Sequence, residues 1–389
     1  MKPDSPAAPV LRVALLAHSA PEEPRDPLAY AVELGGALQE AGVQVHLLAD
    51  RWVGDAPPSL PFHKVTAPVA EAGGVVASAR AYCASLVEVL GRVSRDTSPF
   101  HVVHACSWMT APAALSGRRH GGARAVVTFL DTVFSRYGQV NGDRATAQIR
   151  NLEQQAVREA DLLIAGTDAV RQELAWLYGA SSAQVRVAPC DPLPAADARP
   201  APESLPRRAG AVIGFGGCWS KAGGSDLFLD AVRQLSAGQP GLRMVIAADP
   251  ANPTRVEADV RRRGLGDLLL VPAGAGDPLA ACDLVVVPAR TSVGQRGIYR
   301  ARAAGVLVVV TRTGPAELVR AGRDGALAFP FAASLVEQIK IMLAHPLACT
   351  PDDSFTWPKV TINLTAYYRE LLAPRGEHFE NVNDVARAR

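Results

Sequence analysis

The chain has 389 residues with 40 Lys and Arg against 38 Asp and Glu, a formal net charge of +2. So even a balance excludes a global field that would recruit nucleic acid or an acidic membrane surface. The length is enough for two domains of ordinary size, each with its own core.

The opening stretch, MKPDSPAAPV, lacks the apolar core of a secretory leader. LRVALLAH (11–18) then has the continuous apolar run of a buried strand. The spacing predicts a helix from about Pro27 to Ala41, with Pro at its start and Gly42 just past its end. VQVHLLAD follows as a second strand and completes a βαβ unit, and FHVVHA, AVVTFL, DLLIAGT and QVRVAP continue the series to about residue 190. CDPLPAADARPAPESLPRRAG (190–210), rich in Pro and Ala, has the composition of an interdomain linker. The alternation restarts with AVIGFG, LRMVIAA, DLLLVPA, DLVVVPA and VLVVVTR.

The longest apolar stretch, LLLVPAGAGDPLAACDLVVVP, is broken by Asp277, Asp283 and several Pro and Gly, which excludes a membrane span there. The tail RGEHFENVNDVARAR is polar and expected to fray. Cys83, Cys106, Cys190, Cys218, Cys282 and Cys349 lie far apart with no C-x-x-C pair, the usage of reduced thiols in the cytoplasm. The expected class is α/β: two doubly wound parallel-sheet domains in tandem, facing a cleft where the carboxyl ends of both sheets meet. The boundaries drawn are 1–195, a linker at 196–209, a second domain at 210–350, a crossover helix at 351–375 and a polar tail at 376–389. Such an arrangement hosts binding proteins, epimerases and glycosyltransferases alike, and by itself names none of them.

FHVVHACSWMTAPAA (100–114), AVVTFLD (125–131) and NLEQQAVREADLLIAGTDAVRQELAWLYGASSAQVRVAPC follow one another as do the corresponding segments of a large retaining glycosyltransferase family. In the second half, GFGGCWSKAGGSDLFLDAVRQL and DLVVVPARTSVGQRGIYRARAAGVLVVVTRTGPAELVRAGRDGALAFP do the same, and FTWPKVTINLTAYYRELL (355–372) resembles its closing helix. On these residues the chain resembles a GT-B glycosyltransferase of family 4, over roughly residues 10 to 373. The resemblance implies two Rossmann-like domains, an acceptor side and a donor side, a nucleotide-sugar in the cleft, and a last helix whose Trp and Tyr pack back onto the first domain.

The site departs from that pattern. The family's two glutamates, of which the second accepts the ribose hydroxyls, fall on Ser292 and Arg300. Its Arg and Lys, which neutralise the leaving diphosphate, fall on Cys218 and Gly223, with Lys221 the local cation able to slip into the role. Further polar positions have become Cys106, Ser107, Leu130, Cys190 and Asp191, and the donor-facing loop after the first strand reads SAPEEPRDPLAY in place of glycines. Departure of a nucleoside diphosphate builds negative charge that positioned cations stabilise, and losing one such donor costs about two to three orders of magnitude in rate. A guanidinium offers donors only and cannot replace a carboxylate that accepts from two hydroxyls.

The candidate ligand-binding residues are therefore Lys221, Arg290, Arg296, Arg300, Gly217, Gly294 and Ser292, with no catalytic residue named. Arg296 and Arg300 lie four apart on a helix expected to begin near Gly297. Like charges so placed cost about 0.2–0.5 kcal/mol, so an anion or a carboxylate nearby is expected to relieve them. Cys106, Cys190 and Cys218 border the cleft in the family fold and raise a thiol or metal site, against the blander reading of small buried replacements. His18 and His104 are expected to be hydrogen-bonded structural histidines, Trp108 core, and Glu317 part of a turn.

Three functions fit. One is a degenerate family 4 homologue acting as a binding or partner subunit, for instance of an active glycosyltransferase. The others are a divergent transferase with an altered donor, and a sensor of small anions. No cofactor, metal, nucleic acid or transmembrane segment is expected.

Overall fold

The structure is a computed structural model that describes residues 10–20, 26–52, 60–66, 74–137, 144–190, 192–193, 210–246, 253–270, 277–291, 293–352 and 354–373. The chain divides into two compact units. Unit 1 is Met1–Gly166, Val170–Ala188 and Thr361–Arg389; unit 2 is Thr167–Ala169 and Pro189–Val360. The expected linker at 196–209 and the tail at 376–389 lie outside the described residues.

In chain order the first elements are β1 (Arg12–Leu16), α1 (Pro27–Glu40), β2 (Gln44–Ala49), β3 (Phe62–Lys64), α2 (Gly74–Asp96), β4 (Val102–Ala105) and α3 (Ala111–Gly121). They are followed by β5 (Arg124–Phe129), α4 (Val133–Tyr137), α5 (Arg144–Glu159), β6 (Leu162–Ala165), α6 (Asp168–Tyr178) and β7 (Val185–Val187). The seven strands form one sheet in the order β3-β2-β1-β4-β5-β6-β7, every pair parallel. A parallel sheet covered on both faces needs strands apolar throughout, which is why VVHA and LLIA are buried at every position. α1 starts where the sequence says it should: the Asp26 carboxylate accepts from Leu28 N–H, Pro27 fills the first turn, and Gly42 leaves the helix at φ +81°. α2 is long and apolar enough by composition to cross a membrane, yet Tyr82, Leu86 and Leu90 on its inner face belong to the unit 1 core.

The second series is β8 (Val212–Phe215), α7 (Ser225–Ser236), β9 (Arg243–Ile246), α8 (Pro253–Arg262), β10 (Leu269–Leu270), β11 (Leu284–Val287) and α9 (Gln295–Ala303). It ends with β12 (Leu307–Thr311), β13 (Gly325–Ala328), α10 (Ala332–Ala344) and α11 (Trp357–Leu372). Its six strands run β10-β9-β8-β11-β12-β13, again all parallel. In each sheet the order reverses once, between β1 and β4 and between β8 and β11. The loops leaving the carboxyl ends of those strands therefore flank the crevice where open α/β sheets take ligands.

Two expectations need correcting. The first strand closes at Leu16, so Ala17 and His18 lie past it. α9 begins at Gln295 rather than near Gly297, because Gly294 adopts φ +91° and caps it. This puts Arg296 in the first turn. The closing helix is shared: Trp357 is buried in unit 2, whereas residues from Thr361 belong to unit 1, where Tyr368 is fully buried.

Candidate functional site

In unit 2 the site is built by the loop after β8, the loop after β11 and the first turns of α7 and α9. These segments meet backbone to backbone. A Cβ at Gly297 would overlap the carbonyl oxygen of Gly216, so α9 can approach the end of β8 this closely only with glycine there. Gly217 is buried in the same loop, and Gly294 faces it from the cap of α9. The turn at residues 218–224 is closed by its own bonds. Gly223 N–H donates to Ser220 Oγ at 3.0 Å, Gly224 N–H to the Lys221 carbonyl at 3.2 Å and Ser225 N–H to the Ser220 carbonyl at 3.1 Å. A Cβ at Gly223 would overlap the Cys218 carbonyl oxygen. The lysine that the resemblance puts at this position therefore has no place in this turn.

Two of the three candidate arginines, Arg290 and Arg300, are spent on carboxylates of the chain itself. Arg290 donates from Nη1 and Nη2 to the two oxygens of Asp226, at 2.7 and 2.9 Å, and from Nη1 to the Lys221 carbonyl at 2.6 Å. Burial pulls the Asp226 carboxyl upward, but the hydrogen bonds and charge of Arg290 outweigh it and hold the group below the usual carboxylate range. Arg300 donates from Nε to Asp277 Oδ2 at 2.7 Å and from Nη2 to Oδ1. The Asp277 side chain is only 5% exposed, and its Oδ1 also accepts from Leu279 N–H at 2.9 Å, capping a 3-10 turn at Pro278–Ala281. Burial, with Asp277 and Asp283 close by, pushes the Cys282 thiol up to about 12, so that cysteine is inert packing.

Arg290 and Arg300 are thus each relieved by a carboxylate of their own unit. Lys221 is exposed, and its ammonium makes no hydrogen bond or ion pair among the described residues. Ser292 lies outside the described residues. Ala289, from the loop after β11, is fixed by Thr311 and Thr313, whose hydroxyls both donate to its carbonyl.

In unit 1 the crevice lies between the ends of β1 and β4. Ser19 N–H donates to Asp50 Oδ1 at 3.0 Å and Ala20 N–H to Asp26 Oδ1 at 2.9 Å, so both loop amides already hold carboxylates. His18 stands edge-on to Tyr82 with its buried Nδ1 unbonded, against the expectation of a hydrogen-bonded histidine. His104, fully buried, does fit that expectation. Its Nδ1 is 2.7 Å from Tyr368 Oη and its Nε2 2.7 Å from Thr128 Oγ1, and burial holds the imidazole at about 3, hence neutral.

A second buried cluster follows β5. Glu153, fully buried, accepts from Val133 N–H at 2.9 Å and from the Tyr178 hydroxyl, while Glu173 accepts from Thr132 Oγ1 at 2.5 Å with its carboxyl pushed up by burial. Sequence reasoning passed over all these acids. Asp277 carried a signal, an Asp-Pro pair ahead of a short turn; Asp226 and Glu153 looked like ordinary helix residues.

Cys106 and Cys190 are buried and Cys218 is exposed, Cys106 in unit 1 and the other two in unit 2; none of the six cysteines forms a disulfide. Among the described residues no three His, Cys, Asp or Glu side chains are placed to hold a metal.

The fold and its two crevices define a GT-B glycosyltransferase-type protein. Residues 29–190 match the model of Glycosyltransferase Family 4, and residues 210–345 match that of Glycosyl transferases group 1. The chain belongs to these family 4 glycosyltransferases. It is 28% identical to D-inositol 3-phosphate glycosyltransferase 2 of Catenulispora acidiphila, over 77% of each chain. To the D-inositol 3-phosphate glycosyltransferase of Actinosynnema mirum it is 26% identical, over 87% of this chain and 90% of that one. The match to the enzyme of that name from Gordonia bronchialis, also 26% identical, spans 63% of this chain and 58% of the relative. Among solved structures, sucrose-phosphate synthase from Thermosynechococcus elongatus superposes with a TM-score of 0.69 at 21% identity, covering 93% of this chain and 99% of the other. Anabaena HepE in complex with UDP gives a TM-score of 0.64 at 16% identity, with 93% and 96% covered.

Proposed function

We propose that this family 4 protein has lost nucleotide-sugar transfer and acts in the cytoplasm as a non-catalytic binding or partner subunit, one that pairs with an active glycosyltransferase. The observation that carries this reading is the Arg300–Asp277 pair. Where the resemblance puts a carboxylate accepting the ribose hydroxyls stands a guanidinium. Two of its donors are already bound to a carboxylate that is itself almost wholly buried. The Asp277 carboxylate is thereby closed to a ribose, and the guanidinium beside it offers donors only. The closed 218–224 turn supports the same reading, because it leaves no room for the lysine that would meet the leaving diphosphate.

One observation favours a second reading, a divergent retaining transferase. Lys221 is exposed beside the β8 loop with its ammonium unengaged, and the curated relatives are named for transfer to D-inositol 3-phosphate.

The two separate in one experiment. The purified protein is titrated calorimetrically with UDP, GDP, ADP and dTDP and their glucose conjugates. It is then incubated with each conjugate and D-inositol 3-phosphate while nucleoside diphosphate release is followed. No heat and no release are expected. Micromolar binding with turnover that disappears in Lys221→Ala would overturn the proposal in favour of the enzyme. The partner role is tested by co-elution with an active glycosyltransferase and by a rise in that enzyme's turnover when this chain is added.

A further inference from the structure

β3 is the outer strand of the unit 1 sheet, three residues long and paired with β2. Its ladder is short: Leu47 N–H donates to the Pro61 carbonyl and Val65 N–H to the Ala49 carbonyl, each at 2.8 Å. Leu60 and Val65 on either side are buried, so the segment is anchored at both ends and His63 lies between the anchors. When an outer strand lifts, its neighbour is left with a row of unpaired backbone groups, and side chains that hold the strand down guard against this.

Here two histidines do so. His46 of β2 and His63 of β3 are both half-buried, and His46 Nδ1 lies 2.9 Å from His63 Nε2. The ring planes differ by 9°, with centroids 5.2 Å apart. Nitrogens that much closer than the centroids, in nearly parallel rings, place the imidazoles side by side in one plane rather than one over the other. That is the geometry of an N–H···N bond, one ring donating and the other accepting. The bond tolerates one further proton but not two. A proton on the outward nitrogen of the donating ring leaves the bond in place and charges its donor. A second proton must go to the accepting nitrogen, and two N–H groups then point at each other.

The surroundings oppose the added charge. Arg12 of β1 acts on His46, and Arg92 of α2 acts on His63. The Arg12 guanidinium is held by neutral oxygens: Gln44 Oε1 at 3.2 Å, Thr97 Oγ1 at 2.8 Å and the Ser98 carbonyl at 3.1 Å. It lies over the Phe100 ring, which meets His46 edge-on, and the Arg12 backbone N–H donates to His101 Nδ1 at 3.0 Å. Lys64, next to His63, is exposed. Burial first, then His63 and Arg12, bring His46 down to about 4; burial and Arg92 lower His63 in the same way.

We propose that the His46–His63 bond is an acid-sensitive latch, which holds β3 on β2 while the pair carries at most one extra proton and releases residues 61–64 when both rings are charged. An imidazole in the lifted segment titrates near 6.5. Between that value and about 4 the lifted state binds the extra proton, so opening is favoured as pH falls through this window. The anchors at Leu60 and Val65 keep the opening local, and what it bares is the outer edge of β2.

The test is amide hydrogen exchange of the full chain at pH 7 and pH 5, each rate divided by its intrinsic value at that pH. The Leu47 and Val65 amides, which donate across the β2–β3 pair, report the latch, and the Val103 amide in the inner strand β4 reports global opening. Protection of Leu47 and Val65 is expected to fall about tenfold or more relative to Val103 on going to pH 5. His63→Gln puts a carboxamide that does not titrate where Nε2 stood, able to bond His46 in either charge state, and is expected to abolish the fall. Protection that holds steady relative to Val103 in the natural chain overturns the proposal, as does an equal fall in His63→Gln. Should His63→Gln fail to fold by circular dichroism, His46→Asn carries the same comparison from the other strand.

Discussion

Tyr368→Phe removes one oxygen atom from the part of α11 that belongs to unit 1. The hydroxyl lies 2.7 Å from His104 Nδ1, and both residues are fully buried. The ring stays, so its edge-to-face contact with the imidazole, at 5.9 Å between centroids, is kept and no large cavity opens. What remains is a buried ring nitrogen with no partner, the expensive half of a lost hydrogen bond, worth about 1–3 kcal/mol. Urea unfolding followed by circular dichroism measures it as a lower midpoint at unchanged slope. A loss below about 0.5 kcal/mol would mean that the bond contributes no more than an exposed one and would refute the reasoning. The same network fixes the acid response. His104 titrates near 3 when folded and near 6.5 when unfolded, so between those values the unfolded chain binds the extra proton. Stability is therefore fully present above pH 6.5 and lost as pH falls toward 3, by up to about 1.4 kcal/mol per pH unit. His46, lowered to about 4 by burial and by the neighbouring His63 and Arg12, adds in the same direction.

Restoring the glutamate of the family pattern by Arg300→Glu is expected to destabilise the chain by about 3–5 kcal/mol, since it faces the buried Asp277 with a second carboxylate. Adding Asp277→Asn, which keeps the cap on Leu279 N–H, should recover part of that loss in the same urea assay, and no recovery would show the pair to be incidental. Gly223→Lys should lower the unfolding midpoint and restore no nucleotide affinity in calorimetry, because its Cβ meets backbone rather than a movable side chain. Tyr178→Phe leaves the fully buried Glu153 carboxylate with Val133 N–H but without its hydroxyl donor, and should cost about 1–3 kcal/mol by urea unfolding.

The sheets were legible because their strands advertise themselves. LVVV and LVVVT are buried at every position, a pattern that only a strand covered on both faces requires. Helix starts marked by Asp-Pro or by a flanking glycine were legible too, within a residue or two. The start of α9 was misplaced by two residues because the sequence offers both Gly294 and Gly297. One serves positive φ and the other close packing, and only the backbone tells them apart. The site was legible as a set of missing residues but not as a set of new bonds. Asp226 is 64 residues from Arg290 and Asp277 is 23 from Arg300. No local periodicity links such pairs; the sheet order brings Asp226 and Arg290 together at the ends of β8 and β11, and the packing of α9 against the turn at Pro278–Ala281 brings Arg300 to Asp277.

Those bonds bear on how the site came to differ from the family pattern. Loss of function by drift alone would leave arginines facing a crevice with solvent or nothing as partner, since each substitution would arise without regard to the next. Arg290 and Arg300 instead each hold an aspartate bidentately, and in both cases the aspartate also sits at the start of a helical turn that favours a negative charge. A guanidinium at 300 without Asp277 would leave a largely buried charge uncompensated, at a cost of several kcal/mol. The two positions are energetically one feature. A divergent transferase would need the opposite arrangement, with at least one of these guanidinium groups held by neutral carbonyls and left open toward the departing phosphate. With both forks closed on aspartates, phosphate work in such a transferase would fall to another cation. Lys221 is the one cation among the candidates whose behaviour in the nucleotide titrations decides the matter.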